Sequence, residues 1–180
     1  MSEKLGLKFG FVGLGQCGGN IANEFAGLGY PAIAINTSQT DLCLLNNISA
    51  ERRLLINVGT EGAGKNPEIG EESLSEKVDE VYKLITDAFG QHKNDMKIYI
   101  CAGLGGGSGS GMICLVSNIM NEDDYNIGGI ITLPSDSESP KVKLVALNIY
   151  SKLMESGGIK DYFIIDNQMN SEQIKQNVGI

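Results

Sequence analysis

Residues 103–111 comprise six glycines, two serines and one leucine, and they follow the apolar run 98–102. Because glycine lacks a Cβ atom, such a backbone adopts positive φ values and brings several N–H groups within hydrogen-bonding distance of an anion. The apolar run 112–116 comes next and predicts a helix, whose positive dipole end would face the same anion. A flexible linker is the alternative, but linkers do not usually separate a buried strand from a helix. These residues therefore predict a phosphate-binding loop.

A second glycine cluster, residues 13–20, lies between the first predicted strand and the first predicted helix, and it fits the G-x-G-x-x-G pattern of dinucleotide-binding folds. That pattern also needs an acidic residue about 20 positions further on, which binds the ribose hydroxyls. The second strand ends instead in Ile35-Asn36-Thr37, which disfavours a nicotinamide-dependent oxidoreductase. Two phosphate loops that face one crevice suit a nucleoside triphosphate.

A third segment, residues 59–65, matches the G-x-x-x-x-G-K pattern of a P-loop, but Asn66 stands where a Ser or Thr would hold Mg²⁺. Pro67 follows directly, so we interpret the segment as a loop that ends in a capped helix. Its amides remain candidates for contact with a terminal phosphate. Glu61 in this loop is either an outer-sphere partner of Mg²⁺ or a solvated carboxylate.

Strand-like and helix-like segments alternate along the chain and position these loops. The alternation predicts an α/β protein with a parallel sheet covered by helices on both faces. The predicted strands are residues 8–13, 32–36, 54–58, 97–102, 127–133 and 161–165.

Two helices have recognisable start signals, because Asn66-Pro67 and Ser139-Pro140 each supply an N-cap followed by a first-turn proline. Gly157 and Gly158 predict the end of the second helix. Apolar residues follow at helical spacing and are assigned to the core: Leu74, Val78, Val81, Ile85 and Ala88 in the first helix, and Val142, Val145, Ile149 and Leu153 in the second.

The composition predicts one soluble domain, since 42% of the 180 residues are apolar and 20% are charged. The net charge of −8 argues against a broad nucleic-acid-binding surface. No apolar run approaches the roughly 20 residues of a membrane span, and the first residues lead into a strand without a signal-peptide core. We therefore expect a cytoplasmic protein without direct nucleic-acid or membrane contact.

The cysteines do not indicate a metal site or a disulfide framework. Cys17, Cys43, Cys101 and Cys114 are widely spaced, and His92 is the only histidine. We expect buried, reduced thiols.

Three motifs resemble the nucleotide loops of the tubulin/FtsZ family, in the same order along the chain. Residues 15–18 (G-Q-C-G) are similar to the first loop of tubulin, residues 62–67 (G-A-G-K-N-P) to the G-A-G-x-N-P loop of FtsZ, and residues 105–111 to the family signature G-G-G-T-G-[ST]-G. Residues 125–128 and 133–134 resemble the TubZ group, which serves plasmid and phage segregation. The resemblance spans essentially the whole chain.

The resemblance implies a GTPase domain that binds GTP or GDP with Mg²⁺ and has a Rossmann-like, doubly wound sheet of strand order 3-2-1-4-5-6. Asn20 and Asn167 match guanine-contacting positions, although each could be an ordinary cap or turn residue. Pro134 and Glu138 fall where the family has a proline and a ribose-contacting glutamate; Glu138 could instead be a first-turn helix acid. The resemblance places the phosphates, with Mg²⁺ or its water near Gln16, at Gly15, Gln16, Cys17, Gly62, Ala63, Gly64, Gly105, Gly106, Gly107, Ser108 and Gly109.

Some positions depart from the family pattern. Ser108 replaces the usual threonine but keeps the hydroxyl, whereas an arginine of FtsZ near the helix that begins at Ser139 has no counterpart in register. Family members continue into a central helix, an activating loop and a second domain. We expect residues 1–180 to be the GTP-binding domain without those parts, and the loss of the central helix to uncover an apolar sheet face.

In the family, carboxylates of the next subunit activate the hydrolytic water, so GTP is cleaved where subunits stack head to tail into filaments. We expect a GTPase in the full-length assembled form and negligible hydrolysis by this chain alone, to which no catalytic residue or direct metal ligand is assigned. The expected partners are further copies of the protein and a DNA-bound adaptor. The alternative function is a non-catalytic, nucleotide-binding regulator or cap of such filaments.

Overall fold

The computed structural model describes residues 9–57, 59 and 61–167, and it contains one parallel sheet of strand order β3-β2-β1-β4-β5-β6. The predicted fold class and strand order are confirmed. The strands are β1 (Phe9–Leu14), β2 (Ala32–Asn36), β3 (Arg53–Leu55), β4 (Lys97–Gly103), β5 (Ile127–Leu133) and β6 (Tyr162–Asp166). The helices are α1 (Gly15–Gly27), α2 (Gln39–Cys43), α3 (Pro67–Ser75), α4 (Val78–Phe89), α5 (Ser108–Glu122) and α6 (Pro140–Ser156). Short 3-10 helices cover Ala50–Arg52 and Gly90–His92.

Helices cover both faces of the sheet, as predicted from the alternation of elements. On one face, Val12, Ile33 and Ile100 are fully buried in a core that also includes residues of α3, α4, α5 and α6. On the other face, Phe11 and Cys101 belong to a smaller core that includes residues of α1 and α2. Burial on both faces explains why the strands β1, β2, β4 and β5 are apolar runs without polar alternation.

The strand order places the carboxyl ends of β1 and β4 side by side at the centre of the sheet. Val12 of β1 lies opposite Ile100 of β4, and the two strands are parallel along their length. The chain leaves β1 towards β2 and leaves β4 towards β5, in opposite directions across the sheet. In open α/β sheets, ligands bind in the crevice at this reversal.

The prediction of one helix through Leu74 and Ala88 is wrong, because the segment forms two helices. α3 ends at Ser75, and α4 begins at Val78 after Lys77 with φ −121° and ψ 20°. α3 packs against α5, whereas α4 packs against the sheet near β2, and one straight helix does not reach both neighbours. The start of α3 at Pro67, the start of α6 at Pro140 and the left-handed Gly157 after α6 agree with the sequence signals.

Two strands have the predicted bounds, and the other boundaries differ from the predicted ones by one residue, except that β3 ends three residues before the predicted position 58. β3 begins at Arg53 and ends at Leu55, and β6 begins one residue later than expected. Lys8 and Val58, at the ends of two predicted strands, lie outside the described residues.

An apolar groove of about 490 Å³ lies beside α1 on the smaller-core face of the sheet. Phe11 stacks on Phe25 with ring centroids 3.9 Å apart, and Phe163 of β6 is 59% exposed. Within the described part of the chain, no helix covers this groove, which fits the expected apolar face. Self-association through it stays a prediction.

Candidate functional site

The loop after β1 and the loop after β4 touch at the carboxyl end of the sheet. Gly15 has a φ of +67°, and a Cβ atom built on it would lie 2.7 Å from the backbone nitrogen of Gly109. Only glycine fits this position, because both the left-handed backbone and the neighbouring amide exclude a side chain. The two glycine clusters predicted from the sequence therefore form one surface.

Both helices that begin at this surface start without a side-chain cap. Leu14 precedes α1 and Gly107 precedes α5, and neither provides a capping hydrogen bond, whereas Ser38, Asn66 and Ser139 cap α2, α3 and α6. The first amides of a helix have no acceptor inside it. Two uncapped N-termini thus present N–H donors and positive dipole ends to one place, which is an arrangement suited to an anion.

A cavity of about 220 Å³, here called the cradle, lies between these N-termini. It is lined by Leu14, Gln16, Cys17, Ser38, Asp41, Gly62, Ala63, Gly103, Gly106, Gly107, Ser108 and Gly109. Eight of the residues assigned from the resemblance to phosphate contacts are in this lining: Gln16, Cys17, Gly62, Ala63, Gly106, Gly107, Ser108 and Gly109. The loop after β3, which the near match to a P-loop singled out, contributes Gly62 and Ala63.

Residues after β2 complete the cradle, and sequence reasoning missed them. Ser38 and Asp41 line it, and the hydroxyl groups of Thr37 and Ser108 lie 2.6 Å apart in a hydrogen bond. β2 neighbours β1 in the sheet, so its carboxyl end lies at the same edge. The signal was available, because polar residues directly follow an apolar strand there.

Two of the predicted phosphate residues lie on the outer side of the loops. Gly64 and Gly105 line a neighbouring groove of about 680 Å³ between α3 and α6. The N–H of Gly105 donates to Oγ of Ser110 at 2.9 Å, so this amide is already used inside the loop. Ser110 is fully buried and holds the shape of the loop.

The predicted base and ribose residues are not gathered at the cradle. Asn20 is exposed on α1, Asn167 is exposed after β6, and neither lines the cradle. Pro134 lines a separate cavity beside α6.

Glu138 precedes Ser139, the N-cap of α6, so its interpretation as a first-turn acid is wrong. Its Oε2 lies 3.5 Å from Nζ of Lys65; the Lys65 side chain is largely exposed and that of Glu138 is partly exposed. An exposed ion pair of this kind contributes little stability. Lys65 itself has a φ of +61°, which is uncommon for a residue with a side chain.

Glu61 links the loop after β3 to the start of α2. Its Oε1 accepts hydrogen bonds from the backbone N–H of Thr40 at 3.1 Å and from the hydroxyl of Ser38 at 2.9 Å. These two bonds, the first being the larger cause, lower the pKa of the Glu61 carboxyl below its ordinary 4.5. The carboxylate is exposed, yet it is held by protein donors and not by solvent alone.

We expect a Ser38→Ala variant to raise the pKa of Glu61 towards 4.5, because one donor to the charged form is lost. Because the pKa of Glu61 is lower in the folded than in the unfolded chain, this contact stabilises the fold fully at pH values above the unfolded-state pKa. The stabilisation is lost as the pH falls through the folded-state pKa. Carboxyl ¹³C NMR titration measures the midpoint. Ser49→Ala is the matched control, since Ser49 donates to Glu51 and should move only that residue's pKa. A wild-type Glu61 midpoint at or above 4.5 would contradict the assignment.

The cysteines form no disulfide, but the expectation of burial holds only in part. Cys101 is buried, and burial raises the pKa of its thiol; Cys43 is exposed and Cys17 is half-buried. Sγ of Cys17 lies 3.2 Å from the Thr132 hydroxyl at the edge of the cradle.

The cradle has the donor chemistry of a phosphate site with a small hard cation. Backbone of the two glycine loops lines the cradle, and Gln16, Ser108 and Asp41 supply oxygen atoms, which Mg²⁺ prefers. Among the described residues, no three or more Asp, Glu, His or Cys side chains form a metal-binding group. Mg²⁺ is usually held by one or two carboxylates together with phosphate oxygens, so the residues present fit that mode of binding.

An open parallel sheet with two uncapped helix N-termini meeting at its point of reversal defines an α/β nucleotide-phosphate-binding domain. The sequence profile of the tubulin/FtsZ family, GTPase domain, matches residues 8–175. The chain therefore belongs to the tubulin/FtsZ family.

Two groups of curated relatives have the same sequence identity to this chain. The tubulin-like protein TubZ of Bacillus cereus is 33% identical over 175 residues, covering 91% of this chain and 40% of that protein. The tubulin-like protein CetZ of Pyrococcus abyssi is 33% identical over 166 residues, covering 89% of this chain and 45% of that protein. The chain thus spans less than half the length of these relatives.

Solved structures agree with the fold. The GDP-bound monomer of CetZ1 from Haloferax volcanii superposes with a TM-score of 0.81 at 26% identity, covering 89% of this chain and 51% of that one. An FtsZ W319Y mutant of M. jannaschii gives a TM-score of 0.77 at 26% identity, covering 96% of this chain and 52% of that one.

None of the helices in the described ranges combines the length and the apolar character that a membrane span requires.

Proposed function

We propose that residues 1–180 are the GTP-binding domain of a filament-forming GTPase and that the cradle binds the phosphates of GTP or GDP. The observation that carries this proposal is the meeting of the uncapped N-termini of α1 and α5. Gly15 brings the two loops into contact, and Gly106, Gly107 and Gly109 line the cradle without side chains. Amides fixed in this way bind phosphate oxygens without reorganising.

Mg²⁺ is the proposed cofactor, with Gln16 and Ser108 as the nearest oxygen-bearing positions among the residues assigned from the sequence. Bound Mg²⁺ would neutralise negative charge on the phosphate oxygens. Ser108 is held in place by Thr37 at 2.6 Å, so its hydroxyl is oriented before a ligand arrives. Asp41, whose Oδ2 accepts from the Asn36 amide at 3.2 Å, is a third oxygen donor at the cradle.

The base would lie between the start of α1 and the end of β6, with Asn20 and Asn167 as its amide partners. Both side chains are exposed and can donate and accept hydrogen bonds. Glu138 would contact the ribose, and Pro134 would shape the loop before it. Nζ of Lys65 lies 3.5 Å from Oε2 of Glu138 and so links the loop after β3 to the loop before α6.

Hydrolysis is proposed to occur between subunits of a filament, where a neighbouring copy supplies the groups that activate water. Relatives support assembly: structures of TubZ and of CetZ2 are described as protofilaments. The chain alone would bind nucleotide and turn it over slowly, because positioning without activation gives low rates in other GTPases.

The proposed biological role is plasmid or phage DNA segregation in the cytoplasm, with a DNA-bound adaptor as partner. The 33% identity to TubZ and residues 125–128, which resemble that group, support this role. The equal identity to CetZ proteins does not distinguish the two groups.

Calorimetric titration of the chain with GTP, GDP, ATP and NAD in the presence of Mg²⁺ tests the nucleotide assignment. We expect selective binding of the guanine nucleotides, and release of phosphate only after a full-length filament-forming homologue is added. Selective NAD binding, or no binding by a folded chain, would overturn the proposal. Co-sedimentation with that homologue separates the alternative function, since a cap would bind filament ends and reduce polymer mass.

A further inference from the structure

A second cavity lies at the amino end of the strands, opposite the cradle. Its volume is about 450 Å³, within the range of small-molecule sites. It is open to solvent, and three connections line it: the turn between α1 and β2 around Tyr30, the segment 47–52 before β3, and the segment from α4 to β4 that contains His92. The cavity shares no lining residue with the cradle.

Arg52 lines this cavity and has an unused donor. Its Nη1 is buried and makes no hydrogen bond to any described residue, and no described carboxylate lies within ion-pairing distance of its guanidinium. The adjacent Arg53 behaves differently, because its Nε donates to the carbonyl of Ile48 at 2.7 Å and its Nη1 to that of Leu42 at 3.0 Å. A buried donor without an acceptor is costly, and native proteins seldom leave one.

The rest of the lining suits an anion with an apolar body. His92 adds a second nitrogen-bearing side chain, whose Nδ1 lies 3.7 Å from Oδ1 of Asp95 and whose other ring nitrogen is left for a ligand. No described Asp or Glu lines the cavity, although the chain has a net charge of −8. Glu51 is close enough to feel the charge of Arg52, but it accepts a hydrogen bond from Ser49 at 2.6 Å and lies outside the cavity. The walls are formed by Ala26, Ala32, Ile48, Ala88 and Met96.

We propose that this cavity binds a small organic carboxylate, with Arg52 and His92 holding the carboxylate and the apolar wall residues contacting the rest of the molecule. Arg52 supplies the specific contact, because a guanidinium pairs with a carboxylate through two parallel hydrogen bonds. The site is independent of the proposed nucleotide function, since it lies at the other end of the sheet.

Methyl NMR of the full chain tests the proposal with phenylacetate as the probe. 2-Phenylethanol is the neutral probe of similar shape, and inorganic phosphate is the anion without an apolar body. Ala88 and Met96 report on this cavity, while Ala63 reports on the cradle. We expect phenylacetate to shift the Ala88 and Met96 signals in a saturable manner, 2-phenylethanol to bind at least about tenfold more weakly, and phosphate to shift Ala63 instead.

Two variants separate a binding role of Arg52 from a structural one. Arg52→Met keeps the apolar stem, removes the unpaired donor, and should weaken phenylacetate binding at least about tenfold without lowering the unfolding midpoint. Lys83→Met is the matched control, since it changes the charge equally on the exposed face of α4 and should bind as the wild type does.

No saturable shift of Ala88 and Met96 in the wild type, or equal binding by Arg52→Met, would overturn the proposal. Failure of Arg52→Met to fold would also count against it, because it would assign the guanidinium a structural role. In that case His92→Gln tests the second side chain of the site, and this variant should bind phenylacetate more weakly than the wild type does.

Discussion

A Gly106→Asp variant is expected to lose nucleotide affinity by between about a hundredfold and a thousandfold while remaining folded. Gly106 lines the cradle, its φ is not in the left-handed region, and the nearest atom to a Cβ built there is the carbonyl oxygen of Gly103 at 3.7 Å. The protein therefore has room for the side chain. A carboxylate about 4 Å from a phosphate oxygen repels it by about 4 kcal/mol at an effective dielectric of about 20.

Gly106→Asn is the matched control, because it has the same size without the charge. Calorimetry with GDP and Mg²⁺ measures the affinities, and thermal unfolding checks that each variant is folded. If the Asp and Asn variants lost the same affinity, volume and not charge would be responsible. Wild-type affinity in the Asp variant would place the phosphates elsewhere.

A Gly18→Ala variant is expected to lose about 3 kcal/mol or more in its free energy of unfolding. A Cβ atom on Gly18 would lie 1.9 Å from the carbonyl oxygen of Cys101 and 2.7 Å from its carbonyl carbon. Both are backbone atoms of β4, so they cannot rotate away as a side chain would. α1 would have to move off the sheet, and Gln16 and Cys17 would leave the cradle with it.

Gly19→Ala provides a control one residue further along the same helix. Its added Cβ would meet only the side chain of Leu45, at 3.5 Å, which is an ordinary contact. Alanine is the better helix former, so this variant should be neutral or up to about 1 kcal/mol more stable. Urea denaturation measures both variants. Equal stability of the Gly18 and Gly19 variants would show that α1 does not approach β4 this closely.

The sequence predicted the fold well because β1, β2, β4 and β5 are largely buried and are therefore nearly continuous apolar runs. β6 was recognisable as an apolar run as well, although Phe163 and Ile164 are exposed. Residues 32–36 and 127–133 were predicted with the observed bounds. The break at Lys77 was not predictable from periodicity, because Leu74 and Val81 are one heptad apart and both are buried whether or not the helix is continuous. Only the different neighbours of α3 and α4 distinguish the two cases.

The position of the cradle was predictable where an excess of glycine marks the loops that line it. Sequence reasoning missed Ser38 and Asp41, which line the cradle because β2 lies next to β1, and Thr37, whose hydroxyl is hydrogen-bonded to that of Ser108. Polar residues after an apolar strand are a weaker signal than a glycine cluster. Gly105 belongs to the motif, yet its amide is bound by Ser110. The Arg52 cavity leaves no motif at all, because three separate connections contribute one or a few residues each.

The pairing of β1 with β4 also sets the time at which the cradle can first exist during folding. Val12 and Ile100 lie side by side in the sheet but are separated by half of the chain, and contacts between such distant segments form slowly. A chain that has formed only its local β1-α1-β2 unit has the loop with Gly15 but not the loop with Gly109. An anionic ligand could therefore bind at the cradle only after the long-range step of folding. Such a ligand would slow unfolding of the folded sheet but would not accelerate the early, local steps of folding.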